Sequence, residues 1–305
     1  MQSGIWQSPH GRPLPIPGGR TLVMGVLNVT PDSFSDGGQL QSPQAVVDRA
    51  AALLAAGADV LDVCGESTRP GAAEVSATEE CDRVLPAIAA LRRAFPEAAL
   101  SIDTYKAAVA AAAVHAGADI VNDVWGCLHG WTADERRSAA EIVERGGPMK
   151  ALPRSPMAET VAGLGCSIIL MHNRPDRNYG DFWEDLMLDL NLSRAVARAA
   201  GVPDHQIWLD PGFGFAKDPA HNLEVLKHLD RIAALQYPVL LGTSRKSTVG
   251  LVLGAPVEDR LDGTGATIVW GIQQGCNMVR VHDVAAMLRF VRMADAIKAG
   301  IAWEA

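Results

Sequence analysis

Short, continuous runs of apolar residues alternate with longer amphipathic segments along most of the chain. Continuous runs of this kind are typical of parallel strands that are covered on both faces. We identify eight of them, at residues 21–27, 59–63, 99–102, 119–121, 167–171, 206–209, 238–241 and 277–281. Helical patterns fill the intervals, at residues 43–56, 78–94, 106–116, a region ending at 164, 181–200, 219–235, 264–274 and 284–299. This alternation predicts an α/β protein with a single (β/α)8 TIM barrel.

The length of the chain must be reconciled with that fold. A chain of 305 residues would ordinarily be expected to contain about two domains. A barrel, however, uses about 250 residues as one domain. We therefore expect residues 1–20 to form an N-terminal leader that closes the barrel bottom, and residues 21–305 to form one catalytic barrel. An open, doubly wound sheet is the alternative, although no GxGxxG motif follows the first predicted strand.

One interval between predicted strands is too long for a single helix. Between Asn122 and Ser167 there are 44 residues. Thr132 and Glu135 have the spacing of a capping box, and an apolar helical pattern follows them. We therefore expect an extra helical insertion after strand 4, at about residues 126–156. Because it follows a strand, it should lie on the face that carries barrel active sites, either as a pocket rim or as a passive surface feature.

Composition and charge narrow the class of function. The chain is 48% hydrophobic and 20% charged, which is ordinary for a globular protein. A net charge of −8 gives no overall attraction to nucleic acid or to anionic membranes. The first residues have no apolar signal-peptide core, and no stretch predicts a membrane span. Five cysteines without a CxxC pair favour buried thiols in a reducing compartment, so we predict a cytoplasmic protein.

Polar or ionisable residues stand at the end of every predicted strand. They are Asn28, Asp62, Asp103, Asn122, His172, Asp210, Lys246, Arg280 and His282. Any one of the Asp or Asn residues could simply cap the next helix. A set that mixes carboxylates with Lys, Arg and His is harder to explain by capping. Because strand ends converge at the barrel mouth, we expect these side chains to form one site.

The chemistry of this set indicates a ligand with two different ends. Carboxylates and an amide can bind the amino and ring N–H groups of a flat heterocycle. The cations, together with Arg69 and the hydroxyls of Thr68 and Ser247, suit an anionic arm. Residues 244–247 (SRKS) open a helix, which is either an anion site or an ordinary helix start. The loop after Asn28 is either a lid over the substrate or an Ω-like surface loop.

Several common catalytic motifs are absent from the sequence. It contains no HExxH motif, no phosphate-binding P-loop and no GxSxG elbow. His172 and His282 belong to different predicted strands and lack a matching third ligand for zinc. Any metal is expected to be Mg²⁺, held largely by the phosphates of a substrate.

Seven motifs together resemble the dihydropteroate synthase family of folate biosynthesis. They lie at residues 28–38 (NVTPDSFSDGG), 65–71 (GESTRPG), 101–104 (SIDT), 122–124 (NDV), 210–215 (DPGFGF), 244–247 (SRKS) and 280–284 (RVHDV). They occur in the family's order and cover nearly the whole chain. The resemblance implies a transferase that joins 6-hydroxymethyl-7,8-dihydropterin diphosphate to 4-aminobenzoate, releasing diphosphate and 7,8-dihydropteroate. It also implies a homodimer and inhibition by sulfonamides.

The resemblance assigns roles to matched residues. The pterin is expected to be held by Asp103, Asn122, Asp210, Lys246 and Arg280, the last stacked on the ring. The diphosphate contacts are expected to be Thr68, Arg69 and His282, and Asn28 is expected to bind Mg²⁺ on the diphosphate. The aminobenzoate site is expected to comprise Phe34, Pro70, Phe213 and Ser247. The residues with catalytic roles are expected to be Asp36, Arg69, Asp103 and Lys246.

The implied reaction needs no protein nucleophile. Diphosphate leaves a carbon attached to an electron-rich pterin, so a dissociative, cation-like transition state is expected, stabilised by Asp103 and Asp36. Cys64, Ala216 and the pair Asn173 and Arg174 depart from the usual family residues. Two other functions remain as alternatives: a pterin-binding methyltransferase domain, which needs no anion site, and a paralogue that binds pterin without turnover.

Overall fold

The computed structural model describes residues 6, 8–15, 17–29, 43–66 and 74–300. Its strands are β1 (Leu22–Asn28), β2 (Val60–Cys64), β3 (Ala99–Asp103), β4 (Ile120–Asp123), β5 (Ser167–Met171), β6 (Ile207–Asp210), β7 (Leu240–Leu241) and β8 (Met278–Val281). They form one parallel sheet in the order β6-β5-β4-β3-β2-β1-β8-β7. A parallel bridge between Leu209 and Val239 joins the two ends of that order. The predicted (β/α)8 barrel is confirmed.

Helices surround the sheet. They are α1 (Pro43–Ala55), α2 (Ala77–Ala94), α3 (Ala107–Ala116), α4 (Ala133–Glu144), α5 (Pro156–Leu164), α6 (Phe182–Ala200), α7 (Pro219–Lys227), α8 (Asp230–Ala233), α9 (Ser247–Leu253), α10 (Leu261–Gln273) and α11 (Val284–Ala299). The main hydrophobic core lies between these helices and the outer face of the sheet. The continuous apolar strands are thus covered on both faces, as the pattern predicted. No helix among the described residues is both long and apolar enough to cross a bilayer.

A second apolar cluster fills the interior of the barrel at its amino-terminal end. It takes at least one side chain from every strand, mostly from the first half of the strand. Trp6 and Leu14 of the N-terminal segment belong to the same cluster. The ring of Trp6 lies 4.2 Å from that of Trp208, measured between centroids. The N-terminal segment therefore packs into the barrel at the amino-terminal ends of the strands, opposite to their carboxyl ends.

The insertion after β4 contains the predicted capped helix. The Thr132 hydroxyl accepts a hydrogen bond from the Glu135 backbone N–H at 3.2 Å, and the Glu135 carboxylate accepts one from the Thr132 N–H at 2.8 Å. Arg136 of α4 donates to the carbonyl of Asn173, just beyond β5, at 3.2 Å. Because the carboxyl ends of β4 and β5 lie on one face, α4 packs beside the barrel mouth.

Some predicted boundaries were wrong. The helix expected at 219–235 is divided into α7 and α8, because the backbone at His228 leaves the helical conformation and Leu229 turns fully into the core. The strand expected at 238–241 pairs over only Leu240 and Leu241. The helix expected to start at 264 begins at Leu261. The other ends differ by one or two residues, within the usual ambiguity of element boundaries.

Candidate active site at the carboxyl ends of the strands

A polar cleft of about 430 Å³, including space open to solvent, lies at the carboxyl ends of the strands. The described residues that line it are Asp103, Asn122, Val124, Met171, Asp210, Phe215, Gly242, Ser244, Lys246, Arg280 and His282. Six of these are predicted site residues, and they come from β3, β4, β6, β8 and the segments that follow β7 and β8. The parallel barrel brings together residues that are far apart in sequence.

One arginine neutralises the floor of the cleft. Arg280 Nε donates to Asp62 at 2.6 Å, and Arg280 Nη2 donates to Asp103 at 2.7 Å and to the Cys64 sulfur at 2.9 Å. Asn122 Nδ2 also donates to Asp62, at 3.2 Å. Asp62 is fully buried beneath the cleft, so its carboxylate fixes Arg280 and Asn122 rather than facing a ligand. This network orients two of the predicted pterin contacts.

Asp62 and Asp103 each have one buried carboxylate oxygen without a partner within the described residues, and of these two aspartates Asp103 is the one that lines the cleft. Its Oδ2 accepts from Arg280, whereas its buried Oδ1 has no partner within the described residues. Burial raises the pKa of Asp103 to about 7; Arg280 opposes this shift and Asp62 adds to it. A buried, unpaired carboxylate oxygen is costly, so this one is suited to a donor group on a ligand. An amino or ring N–H group of a heterocycle would satisfy it.

The acidic cluster on the floor is not a metal site. Ligand atoms of Asp62, Cys64 and Asp103 lie within 4.8 Å of one another. The guanidinium of Arg280 already contacts all three side chains and supplies the positive charge. Asn28, the last residue of β1, offers a single hard amide oxygen at the same end of the barrel. That donor fits Mg²⁺ held mainly by the phosphates of a substrate.

Asp210 and Lys246 form the opposite wall. Asp210 Oδ1 accepts a hydrogen bond from the Gly212 backbone N–H at 2.7 Å, which fixes the carboxylate at the end of β6. Burial lowers the pKa of Lys246 to about 8; Asp210 opposes this shift and Arg280 adds to it. The Lys246 ammonium donates to the carbonyl of Phe213 and lies 4.5 Å from the centre of the Phe215 ring. Carboxylate, ammonium and aromatic ring thus lie side by side.

The prediction that Phe213 walls the aminobenzoate pocket does not fit this geometry. The Phe213 side chain is 1% exposed and packs in the core between sheet and helices. Phe215, two residues later, lines the cleft instead. The sequence motif carries both aromatic residues, and only the left-handed turn at Gly212 and Gly214 decides which ring faces the cleft.

His282 and Ser247 lie on the side of the cleft formed after β7 and β8. His282 Nδ1 is 2.9 Å from the Ser244 hydroxyl, which also accepts from the His282 backbone N–H at 3.2 Å. Ser247 is exposed at the first residue of α9. Arg245, which lies between Ser244 and Ser247 in the sequence, forms an ion pair with Asp283 at 2.6 Å. Of the two basic residues in the SRKS motif, Lys246 therefore faces the cleft and Arg245 stabilises the loop.

Five predicted site residues lie outside the described part of the chain. They are Phe34, Asp36, Thr68, Arg69 and Pro70. In the sequence they fall between β1 and α1 and between β2 and α2. His172 is described but does not line the cleft, because it is 1% exposed and lies behind it.

Sequence reasoning did not single out Lys217, which is buried beside the cleft. Its side chain is directed at His172 and at the backbone of residues 212–215. The only available signal was its place two residues after the DPGFGF motif.

Two departures from the family pattern also have structural accounts. Ala216 adopts a φ of 47°, a conformation that favours the usual glycine, and Cys64 joins the Arg280 network.

A family model described as pterin binding enzyme matches residues 24–282 of the chain. The match extends from β1 to His282 and therefore includes every described residue that lines the cleft. The match gives the class of protein: the chain is a pterin-binding enzyme.

Individual relatives narrow the class. The dihydropteroate synthase of Bacillus subtilis is 46% identical over 278 residues, which cover 91% of this chain and 89% of the relative. A Clostridium difficile dihydropteroate synthase structure, obtained in the presence of pteroic acid, has a TM-score of 0.82 and 41% identity, with 93% of this chain and 99% of that one covered. A Xanthomonas albilineans dihydropteroate synthase structure with 4-aminobenzoic acid has a TM-score of 0.79 and 38% identity, with 92% and 94% covered. The chain belongs to the dihydropteroate synthase family, which is a family of transferases.

Proposed function

We propose that the protein condenses 6-hydroxymethyl-7,8-dihydropterin diphosphate with 4-aminobenzoate to give 7,8-dihydropteroate and diphosphate. The observation that carries the proposal is the convergence of Asp103, Asn122 and Asp210 with Lys246 and Arg280 in one cleft. Such a cleft has acceptors for a polar flat ring and cations for an anionic arm. Structures of relatives obtained in the presence of pteroic acid and with 4-aminobenzoic acid support the same pair of ligand classes.

The pterin ring is assigned to the buried side of the cleft. Asp210 and the unpaired Oδ1 of Asp103 would accept hydrogen bonds from amino and ring N–H groups, and Asn122 would add an amide. Lys246 would donate to a ring oxygen or nitrogen. Arg280, held by Asp62 and Asp103, would stack on the ring face. Each of these groups is already fixed by a neighbour, so little side-chain entropy is lost on binding.

The diphosphate and the metal are assigned to the opposite, open side. His282 would contact the diphosphate, joined by Thr68 and Arg69 from the loop after β2. Asn28 would hold Mg²⁺ through its amide oxygen. Bound there, Mg²⁺ supplies positive charge to the leaving diphosphate.

The aminobenzoate is assigned to the space beside Phe215. Ser247 would bind its carboxylate, and Phe215 takes the wall position first expected of Phe213. Phe34 and Pro70 would complete the pocket from the two neighbouring loops. The ammonium of Lys246, 4.5 Å from the Phe215 ring, lies between this pocket and the pterin side.

The reaction is proposed to pass through a cation-like transition state. The carbon–oxygen bond to diphosphate breaks first, and the pterin carries the positive charge that develops. The carboxylates of Asp103 and Asp36 would stabilise that charge, while Arg69 and His282 stabilise the leaving anion. The neutral amine of aminobenzoate then attacks the carbon and loses a proton. Migration of ¹⁸O from the bridging to the nonbridging position, in the presence of benzoate, would test for reversible bond cleavage; an unmoved label would count against it.

Diphosphate release tests the proposed function. Purified protein, pterin diphosphate, 4-aminobenzoate and Mg²⁺ should release diphosphate continuously, and omission of either substrate or chelation of Mg²⁺ should stop it. Sulfonamides should inhibit release by competing with aminobenzoate. If pterin diphosphate binds, as calorimetry would show, but no turnover follows, the enzyme assignment is wrong and a binding paralogue is favoured. Methyl transfer to a corrinoid would instead favour the methyltransferase alternative.

We also propose that the protein is a homodimer. Several large apolar side chains on α9, α10 and α11 are exposed, and these helices contact one another. They are Leu251, Val252, Leu253, Trp270, Met293 and Ile297. Large apolar side chains exposed on neighbouring helices are typical of a subunit interface. Light scattering should give twice the chain mass, and Leu251→Glu with Val252→Glu should give monomers; a monomeric wild type would overturn the assignment.

We propose a cytoplasmic location because the cysteine thiols are free and mostly buried. All five cysteines are free, and Cys64, Cys127, Cys166 and Cys276 are buried. Burial raises the pKa of the Cys166 and Cys276 thiols to about 12. Such thiols pack as small apolar groups, which suits a reducing compartment.

A further inference from the structure

Lys217 is buried directly behind the cleft, where its amino group has three hydrogen-bond acceptors. Its side chain is 3% exposed. Its Nζ lies 2.8 Å from His172 Nδ1, 3.2 Å from the carbonyl oxygen of Gly212 and 3.2 Å from that of Phe215. Burial lowers the pKa of Lys217 to about 7; Asp210 opposes this shift and Lys246 adds to it. In its ammonium form Lys217 has three N–H donors, one for each of these acceptors. Lys217 therefore ties the end of β5 to both ends of the turn that follows β6.

That turn carries two groups that face the cleft. The N–H of Gly212 holds the Asp210 carboxylate, and Phe215 at the other end lines the cleft. Gly212 has a φ of 68°, and a Cβ atom built there would lie 1.9 Å from the carbonyl oxygen of His172. The turn thus lies directly against the end of β5. A change in the anchor of this turn must move Asp210, Phe215 or both.

His172 is held so that it can accept the Lys217 hydrogen bond. Burial and the neighbouring Lys217 lower the pKa of His172 to about 4, so the ring is neutral. Its Nε2 lies 3.1 Å from the Asp189 carboxylate, which also accepts from Arg174 at 2.7 Å. A carboxylate partner places the single ring proton on Nε2 and leaves the lone pair of Nδ1 facing Lys217. Asp189 thus acts on the turn through His172 and Lys217.

We propose that Lys217, hydrogen-bonded to His172, is a positioning residue that fixes the 212–215 turn and thereby sets the affinity of Asp210 for the pterin. Lys217 does not line the cleft and touches no reacting atom. The inference rests on the proposed function for the identity of the ligand. The contacts on which it stands are those among Lys217, His172, Gly212 and Phe215.

The test is calorimetric titration of pterin diphosphate, with Mg²⁺ and without aminobenzoate, into a matched set of variants. Lys217→Met should weaken binding about tenfold or more, because the donor to three buried acceptors is lost and the turn loses its anchor. His172→Asn keeps an acceptor near the place of Nδ1 and should bind like wild type. His172→Gln mimics Nε2 instead and should weaken binding several-fold. Lys227→Met, an exposed lysine on α7, is the control and should change nothing.

A purely structural role is separated by a double variant and by kinetics. If Lys217 acts through Asp210, Lys217→Met should weaken binding by less than about threefold in an Asp210→Asn background. In steady-state assays, Lys217→Met should raise the KM for pterin diphosphate more than it lowers kcat. Near-wild-type binding by folded Lys217→Met overturns the proposal; if that variant fails to fold, equal binding by His172→Asn and His172→Gln does so. A wild type that does not bind pterin diphosphate would instead overturn the proposed function.

Discussion

Two buried aspartates at opposite ends of the barrel have opposite surroundings. Asp119, just before β4, accepts hydrogen bonds from Arg12 and Arg92 at 2.7 Å each and from the Leu100 N–H at 3.0 Å, and the Ser8 hydroxyl donates to it as well. Asp103, at the end of β3, shares one arginine with another carboxylate, and one of its oxygens has no partner in the described part of the chain.

The difference separates the two tasks of the barrel. At the amino-terminal end both carboxylate oxygens of Asp119 accept hydrogen bonds, and Trp6 fills the interior, so these contacts contribute stability. At the carboxyl end, polar groups are held in place but left partly unpaired, which costs stability and leaves them available to a ligand. Substitutions at the two ends should therefore affect different measurements.

The largest effect is expected from loss of a cleft cation. Arg280→Ala removes the partner of Asp62 and Asp103, and Lys246→Ala removes the cation beside Asp210. Each should lower kcat/KM by far more than about tenfold, because the group left behind is both misplaced and unpaired. Steady-state assays measure this; near-wild-type rates in either variant would contradict its role.

Replacement of Asp119, at the amino-terminal end of the barrel, should instead lower stability and leave activity nearly unchanged. Asp119→Ala leaves Arg12 and Arg92 without their carboxylate and should lower the free energy of unfolding by about 3 kcal/mol. Below its melting transition the variant should keep kcat/KM within about twofold of wild type. Urea unfolding and the standard assay measure the two quantities. A large loss of activity in fully folded Asp119→Ala would mean that the two ends are coupled.

The pH dependence of pterin binding should report on Asp103. Its pKa of about 7 means that the unliganded site takes up a proton below that pH. If the pterin binds only when Asp103 is ionised, its affinity should fall by up to about tenfold per pH unit below pH 7. For stability the sign is opposite: a raised carboxyl pKa favours the fold at low pH, and that contribution is lost as pH rises from about 4 to 7. Calorimetry from pH 6 to 8 measures the affinity, and Asp103→Asn should flatten this part of the profile.

The smallest effect is expected in the insertion, which shares the carboxyl end with the cleft. Thr132→Ala removes the N-cap of α4 and should destabilise that helix by about 1 kcal/mol. Turnover should not change, because no residue of α4 lines the cleft. Hydrogen exchange on α4 measures the local loss. A matching loss of turnover would indicate that the insertion is a functional rim.

The fold was predictable because the strands are short, mostly apolar runs with a polar residue close to their carboxyl ends. Six cleft residues could be named for the same reason, since parallel strand ends must converge. Phe213 was assigned wrongly because both aromatics of the DPGFGF motif are equivalent in sequence, and only two left-handed glycines decide which ring is buried. Lys217 was missed because its acceptors are backbone carbonyls and a histidine 45 residues away.

Direct detection of 7,8-dihydropteroate tests the central claim that the carboxyl-end cleft is a synthase site. Wild type, Arg280→Ala and Asp119→Ala would be incubated with pterin diphosphate, 4-aminobenzoate and Mg²⁺, and the products separated by chromatography. The account predicts product with wild type and with folded Asp119→Ala, and almost none with Arg280→Ala. Absence of 7,8-dihydropteroate with wild type, or equal product from Arg280→Ala, would contradict it.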